Sequence, residues 1–563
     1  MSDELDDGWA RAARFGRTVR HLAPAQLGHR VRLRGQKALL HALPEAWAVS
    51  LLTRASPYGA SGWPEGFTAL DALAAGEGGT AEAITAGSFD LLHEVRQLEG
   101  PSPWEPAGVA RLWRYHLHYL EWGWLFARHP DREWASRAFR GQWRSWSAGT
   151  RFGRWDAWSP YVASVRAWAL CGLFRPLVLG TADEAAYVAG LRRHAGFLTT
   201  NLELDVGGNH LVKNLKALVG LGVFLQDDTL VERGRSHLQR QLPVQVLADG
   251  GHFERSPSYH AQVLGDLVDV GGLLAASGRA PVPGLHEATA AMRSWLSCML
   301  APDGDVWLLN DCSYVGSDRL GALGVGRRPR DRLLVLADSG YLVASPGARL
   351  AVALDVGSPC PAQLPAHAHA DTLTFELALD GRRVIVDTGT STYQDTARRR
   401  YERSTGAHNT VEVDGRDSTE VWGTFRAGRL ANASLESVID RDGVVEVVAS
   451  HDGYRHLGGR PLHRRRWRLR ADRVDIDDEV TGGGEHTVAG AFHIAPGVPV
   501  SLDEDGATAK LESLRLSVVG GRFEVRPAEV ATAMGRRAAT SCLVVRVGGR
   551  LPLSTHTTIE VDL

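Results

Sequence analysis

Cysteine is scarce in this chain. Its 563 residues hold five, at Cys171, Cys298, Cys312, Cys360 and Cys542, odd in number and without a C-x-x-C pair. That excludes a disulfide framework and a cysteine-ligated zinc site. No apolar run reaches the roughly 18 residues of a membrane span, and the first residues, MSDELDDGWARAARFGRTVRHL, turn from acidic to basic with no apolar core. Signal-peptide secretion is therefore not expected, and the cytoplasm is the default compartment. Charge of one sign is missing too: the net of −2 gives no case for nucleic acid, whose binders carry a marked basic excess.

What is present is length and apolar content. With 563 residues, 44% of them hydrophobic, the chain exceeds one ordinary core, so two or three domains are expected. Residues 8–55 suggest one or two helices with a basic face formed by Arg11, Arg14, Arg17, Arg30, Arg32, Arg34 and Lys37. A solvated face is the simpler reading and an anionic membrane or polymer contact the alternative. Residues 56–66 read as a linker, 100–106 as another break, and the stretch between them as helical.

From Val109 long segments carry apolar residues three and four apart, among them LWRYHLHYLEWGWLF, WSPYVASVRAWALCGLF and NHLVKNLKALVGLGVFL. They predict stacked helical hairpins. Ten of the 17 tryptophans fall between Trp104 and Trp168, as core packing first and as sugar-stacking platforms second. After Gly326-Arg327-Arg328-Pro329-Arg330 the pattern shortens to alternating segments with Asp-Gly turns at Asp442, Asp452 and Asp505. Helices first and strands afterwards predict separate α and β domains.

The chemistry concentrates just past this changeover, in PAHAHADTLTFELALDGRRVIVDTGTSTYQDTARRRYERSTGAHNTV, residues 365–411. Leu373, Phe375, Leu377 and Leu379 alternate with Thr374, Glu376, Ala378 and Asp380 as in a half-buried strand. Asp380-Gly381 marks a two-residue hairpin. If the strand runs back, His367, His369 and Asp371 share one face. His369, Asp387 and His408 have zinc-type donor chemistry. Hairpin register places Asp387 opposite His369, so that set requires a bulge or bend near Asp371-Thr372.

Upstream, Asn209 reads as a helix N-cap with His210 in the first turn, where free N–H groups favour an anion such as a carboxylate; plain capping is the competing explanation. Tyr259 and His260 open a further helix after Ser256-Pro257.

HAHADTLTFELALDGRRVIVDTGTSTY and RRRYERSTGAHNTVEVDG resemble the C-terminal domain of the heparinase II/III family of polysaccharide lyases, and LWRYHLHYLEW and WSPYVASVRAW its helical half. The resemblance implies an N-terminal incomplete (α/α) toroid, a C-terminal antiparallel β-sandwich and an active cleft between them. The expected divisions are a helical segment over 1–100, the toroid over 101–328 and the sandwich over 329–563. It implies Asn209, His210, Tyr259 and His367 as catalytic, and Arg255, Tyr393 and Arg400 as substrate-binding. His369, Asp387 and His408 would hold a structural divalent metal, zinc first and calcium as the alternative.

The implied reaction is β-elimination at a 4-O-linked uronic acid. Asn209 and His210 neutralise the carboxylate, Tyr259 or His367 takes the proton on carbon 5, and Tyr259 returns one to the leaving oxygen. A tyrosine working near pH 7 needs its pKa lowered from about 10, at a cost of about 4 kcal/mol, which Arg255, Lys213 and a protonated His367 would supply. The partner is an acidic polysaccharide, with a homodimer left open. Rival readings are a uronate 5-epimerase, a non-catalytic carbohydrate-binding protein of an exopolysaccharide pathway, and a glycoside hydrolase using Glu254 and Asp311. The family's degradative members are typically exported, which makes the cell envelope or periplasm the alternative compartment.

Overall fold

A computed structural model describes residues 2–53, 62–73, 78–99, 103–154 and 156–562. Most of the expected linker at 56–66 and the start of the break at 100–106 lie outside the described residues. The chain forms two compact units interleaved in sequence. One comprises Met1–Leu22, Val246–Ala261 and Ala291–Leu563; the other comprises Ala23–Gln245 and Gln262–Ala290.

The second unit is helical. Pro160–Leu177 is buried on nearly every side, and Gly208–Phe224 packs against both it and Asp228–Gln245. Tryptophans fill the gaps, as the core reading anticipated: Trp104, Trp113, Trp122, Trp124, Trp143, Trp146, Trp158 and Trp168 are all buried. Glycines make room for them. A Cβ at Gly220 would sit 2.7 Å from Trp168, and one at Gly172 would collide with Trp124. Two buried lysines are paired in full: Lys213 reaches Asp266 at 2.6 Å, and Lys216 bridges Asp266 at 2.9 Å and Asp269 at 2.6 Å. Unpaired, they would carry a heavy desolvation cost. A hairpin of Ser88–Leu91 and Glu94–Gln97 interrupts the stretch expected to be helical. Leu92 and His93 make its turn at positive φ without glycine, which hid the signal.

The first unit holds the large sheets, all antiparallel. Five strands from Leu333–Leu336 to Arg382–Ile385 follow chain order. A sheet of eight contains Ala433–Arg441, Val444–His451, Leu462–Leu469, Arg473–Thr481 and Leu553–Val561, and a sheet of four contains Phe523–Ala533, Arg536–Arg550, Glu485–His493 and Val411–Val413. Leu354, Phe375 and Leu377 of the first sheet, Trp467 and Ile476 of the second, and Phe492 and Leu543 of the third pack in one core. Of the expected Asp-Gly turns, Asp380-Gly381 and Asp442-Gly443 form with both residues at positive φ, whereas at Asp505-Gly506 only the glycine adopts it and at Asp452-Gly453 neither residue does. Helix Ser2–Val19 joins this unit: Thr18 donates to the Ala427 carbonyl at 2.9 Å and Arg17 pairs with Glu420.

Two local expectations are corrected. The strand after the His-Ala-His run starts only at Phe375; His367 ends a one-turn 3-10 helix begun by Pro365, and Leu373 adopts φ 66°. A left-handed residue breaks a strand, so alternation does not place the histidines. The strand is also buried on both faces; buried Glu376 is satisfied by the Leu308 N–H and by Arg383 at 3.1 Å. The chain does bend beside Asp371-Thr372, at left-handed Leu373, and a register shift follows between Leu377 and Ala378, opposite Val384.

Candidate active site

In the sheet-bearing unit the polar side chains gather on Asp311, which is fully buried. Its carboxylate accepts from Arg399 at 2.5 and 2.7 Å and from Thr390 at 3.1 Å. His367 Nδ1 lies 3.1 Å from one oxygen and His369 Nε2 2.8 Å from the other. Burial alone would raise the Asp311 pKa; Arg399 and the two histidines outweigh it and hold the group well below the usual carboxylate range. Thus His367 and His369 do converge, through a shared anion and not through a shared strand face.

His367 is clamped at both ends, because its Nε2 lies 3.2 Å from Glu254 Oε2. The Tyr259 ring packs on the imidazole with centroids 3.7 Å apart, and Tyr259 Oη is hydrogen-bonded to Tyr393 Oη at 2.9 Å. Tyr259 is delivered by the first turn of helix Pro257–Ala276. The residues before it are fixed by an unusual backbone: Arg255 and Asn310 both adopt left-handed φ, near 58° and 56°. The Arg255 carbonyl accepts from Tyr341 Oη at 2.6 Å and from Asn310 Nδ2 at 3.1 Å. Non-glycine residues in this region carry strain of about 1–3 kcal/mol each, which the surrounding bonds must offset. Tyr393 in turn packs against the Arg399 guanidinium at 4.9 Å. Burial first and the Asp311 charge second push its phenol well above the ordinary value, so it stays protonated.

The remaining expected residues are placed as follows. Arg255 sends its guanidinium to the Ser358 carbonyl. Arg400 is exposed and pairs with Asp395 at 2.9 Å; its neighbour Arg399 is the buried one. Lys213, proposed as a cation for Tyr259, is committed to Asp266. In the helical unit, Asn209 and His210 occupy the first turn of Gly208–Phe224, and the N-cap is Gly207, not Asn209. Gly207 and Gly208, at φ 72° and 54°, turn the chain two residues early, as glycine does at little steric cost. Asn209 is buried; His210 Nδ1 lies 3.1 Å from Glu203 Oε1, and its ring is 4.5 Å from that of Tyr161.

His369, Asp387 and His408 are all fully buried. The two imidazoles lie 5.2 Å apart. His408 Nδ1 is 2.6 Å from Asp387 Oδ2, while Asp387 Oδ1 accepts from the Gly389 N–H at 2.9 Å. Burial would lower His408, but Asp387 outweighs it and holds the imidazole above its ordinary value; burial takes His369 down to about 4. Among the described residues no group of three or more His, Cys, Asp or Glu side chains is arranged to hold a metal ion. Two buried nitrogens, His369 Nδ1 and His408 Nε2, have no hydrogen-bond partner there. The donor chemistry of the imidazoles therefore fits a divalent ion, whereas Asp387 stands where an outer carboxylate orients a metal-bound histidine.

Of the residues that matter here, reading the sequence overlooked Arg399. Glu254 and Asp311 surfaced only as a carboxylate pair for a rival hydrolase. The available signal was the spacing in the arginine run: helix Ala397–Glu402 follows a Thr396 cap and buries Arg399 beside exposed Arg400.

The family model "Heparinase II/III N-terminus" matches residues 112–320, and "Heparinase II/III-like, C-terminal" matches residues 328–557. The chain belongs to the heparinase II/III-like family. FtsZ-localized protein C of Caulobacter vibrioides is 28% identical over 307 residues, covering 53% of this chain and 50% of that protein. Heparin-sulfate lyase of Bacteroides thetaiotaomicron is 22% identical over 380 residues, covering 57% and 51%. The chain thus spans about half the length of these curated relatives. A solved heparinase III structure superposes with a TM-score of 0.73 at 15% identity, covering 96% of this chain and 94% of that one. This heparinase II/III-like chain shares that fold, a helical N-terminal region followed by an antiparallel, sheet-rich C-terminal domain.

Proposed function

We propose that the protein is a polysaccharide lyase that cleaves a uronic-acid-containing polysaccharide by β-elimination and leaves a 4,5-unsaturated uronate end. The observation that carries this reading is the Tyr259 phenol, packed on His367 and hydrogen-bonded to Tyr393. Both ring nitrogens of His367 face carboxylates, Glu254 and Asp311, so the ring is suited to holding Tyr259 and the sugar in place. Tyr259 then performs both proton steps. Its phenolate takes the proton from carbon 5, the electron pair forms the carbon 4,5 double bond, the bond from carbon 4 to the leaving oxygen breaks, and Tyr259 returns the proton to that oxygen. Asn209 and His210 are assigned the uronate carboxylate, whose neutralisation acidifies carbon 5.

Membership of a lyase family supports this reading, as does the name of the Bacteroides relative. The experiment is a panel of heparan, chondroitin, hyaluronan, alginate and bacterial capsular polysaccharides, followed by ultraviolet absorbance for unsaturated ends. Solvent deuterium entering the uronate without chain cleavage would instead assign an epimerase.

A second reading, a non-catalytic member, has one observation on its side: the relative named for localisation to FtsZ is more identical than the one named as a lyase. Retained polysaccharide binding with no product from any substrate in the panel would select it.

We also propose that His369 and His408 hold a structural divalent ion of the zinc type, which would tie together the loops carrying these side chains, with Asp387 orienting His408 from outside. No proton step depends on it. Metal analysis of the purified protein, and a zinc-dependent rise in melting temperature that is lost in His408→Ala, test the assignment.

A further inference from the structure

On the helical unit one long face is apolar and open to solvent. Helix Pro24–Ala42 carries Leu27, Val31, Gly35 and Leu39 at every fourth position, all exposed, with Gly28, Ala38 and Ala42 beside them. Residues four apart stack on one side of a helix. After the break at Leu43-Pro44, helix Glu45–Leu52 extends the face with Trp47 and Leu51. Val31 is 72% exposed, Trp47 67% and Leu51 68%. The opposite side is anchored: Leu40 and Ala48 are buried, Arg32 donates to the Thr200 carbonyl at 2.9 Å, and the Phe152 N–H donates to Glu45 at 2.9 Å.

Charge frames the apolar stripe. Between Pro24 and Leu52 stand Arg30, Arg32, Arg34 and Lys37 against one acid, Glu45. Arg34 is exposed beside Gly35, while Arg30 lies 3.5 Å from Asp205 and Arg32, also exposed, keeps its bond to Thr200. Among the described residues no helix is long and apolar enough to cross a membrane.

We infer that this face seats the protein on an anionic lipid surface, with Val31, Leu39, Trp47 and Leu51 in the headgroup boundary and Arg34 on lipid phosphates. A short helix pair with leucine and tryptophan on one side and arginine at its margins is the pattern that lies in an interface plane. A symmetric contact with a second copy is disfavoured, because it would bring exposed Arg34 of both copies to one interface. A surface-bound enzyme or binding protein would then work on polymer near the membrane.

The test is co-sedimentation of the full chain with vesicles of phosphatidylcholine alone and of phosphatidylcholine mixed with phosphatidylglycerol. The expected result is binding to the mixed vesicles that weakens with salt. The double variant Val31→Asp and Leu51→Asp should lose at least about tenfold in affinity, and Arg34→Gln about fivefold. Unchanged melting temperatures show that the variants fold; if the double variant does not, Arg34→Gln carries the test alone. The inference is overturned if the parent sediments with neither vesicle, if it binds neutral vesicles equally, or if the variants bind as the parent does. It is also overturned if sedimentation velocity shows a dimer that Val31→Asp dissolves, which would give the face to a second copy.

Discussion

Arg399→Met is the sharpest test of how this site is held. The parent pair is fully buried on both sides, with two hydrogen bonds of 2.5 and 2.7 Å from the guanidinium to Asp311. Methionine keeps much of the volume but leaves the Asp311 carboxylate buried with only Thr390, His367 and His369 for company. Breaking one side of a buried ion pair costs about 3–5 kcal/mol, because the abandoned charge stays desolvated. Urea unfolding followed by fluorescence should show a loss of that size. Asp311→Asn combined with Arg399→Met removes the abandoned charge while keeping an acceptor for His369 and Thr390, so the double variant should recover about half of it. A single variant within about 1 kcal/mol of the parent, or a double variant as costly as the sum of its parts, would refute the claim that Asp311 is the anionic hub.

Tyr259→Phe should abolish unsaturated product while leaving polysaccharide binding within about threefold, measured by calorimetry, since only the acid-base hydroxyl is removed. Tyr393→Phe should lower kcat by about tenfold to a hundredfold with little change in KM, because it deletes the hydrogen bond to Tyr259 Oη, worth about 1.5–3 kcal/mol to a charged phenolate. The Arg17–Glu420 pair should make the N-terminal helix acid-sensitive. Burial opposes ionisation of Glu420, but Arg17 and the Arg429 N–H outweigh it and take the group down to about 2. A depressed carboxylate contributes stability that is complete above the unfolded value near 4.5 and is lost as pH falls toward 2. Glu420→Gln should therefore cost about 1 kcal/mol at neutral pH, after allowance for solvent screening, and less at pH near 3, read from paired urea midpoints. Gly220→Ala should destabilise by about 1–3 kcal/mol in thermal unfolding, because its Cβ would press on Trp168 at 2.7 Å and Trp63 at 3.2 Å.

Local chemistry made much of this protein legible in one dimension. Period-3.6 spacing marked the helices through Leu211, Leu215 and Leu218, and Asp380-Gly381 and Asp442-Gly443 marked hairpins, because turn geometry and amphipathicity are set by residues a few positions apart. The His-Ala-His run pointed to the site for the same reason. Tertiary structure decided what the run does. Pro365 and left-handed Leu373 take it out of the strand, and Asp311, more than fifty positions upstream, gathers His367, His369 and Arg399 about one buried charge. Which arginine of the 398–400 run turns inward depends on where a helix of six residues docks, and burial of a charge is affordable only where a distant partner meets it. A sequence lists its charges; only the folded chain pairs them.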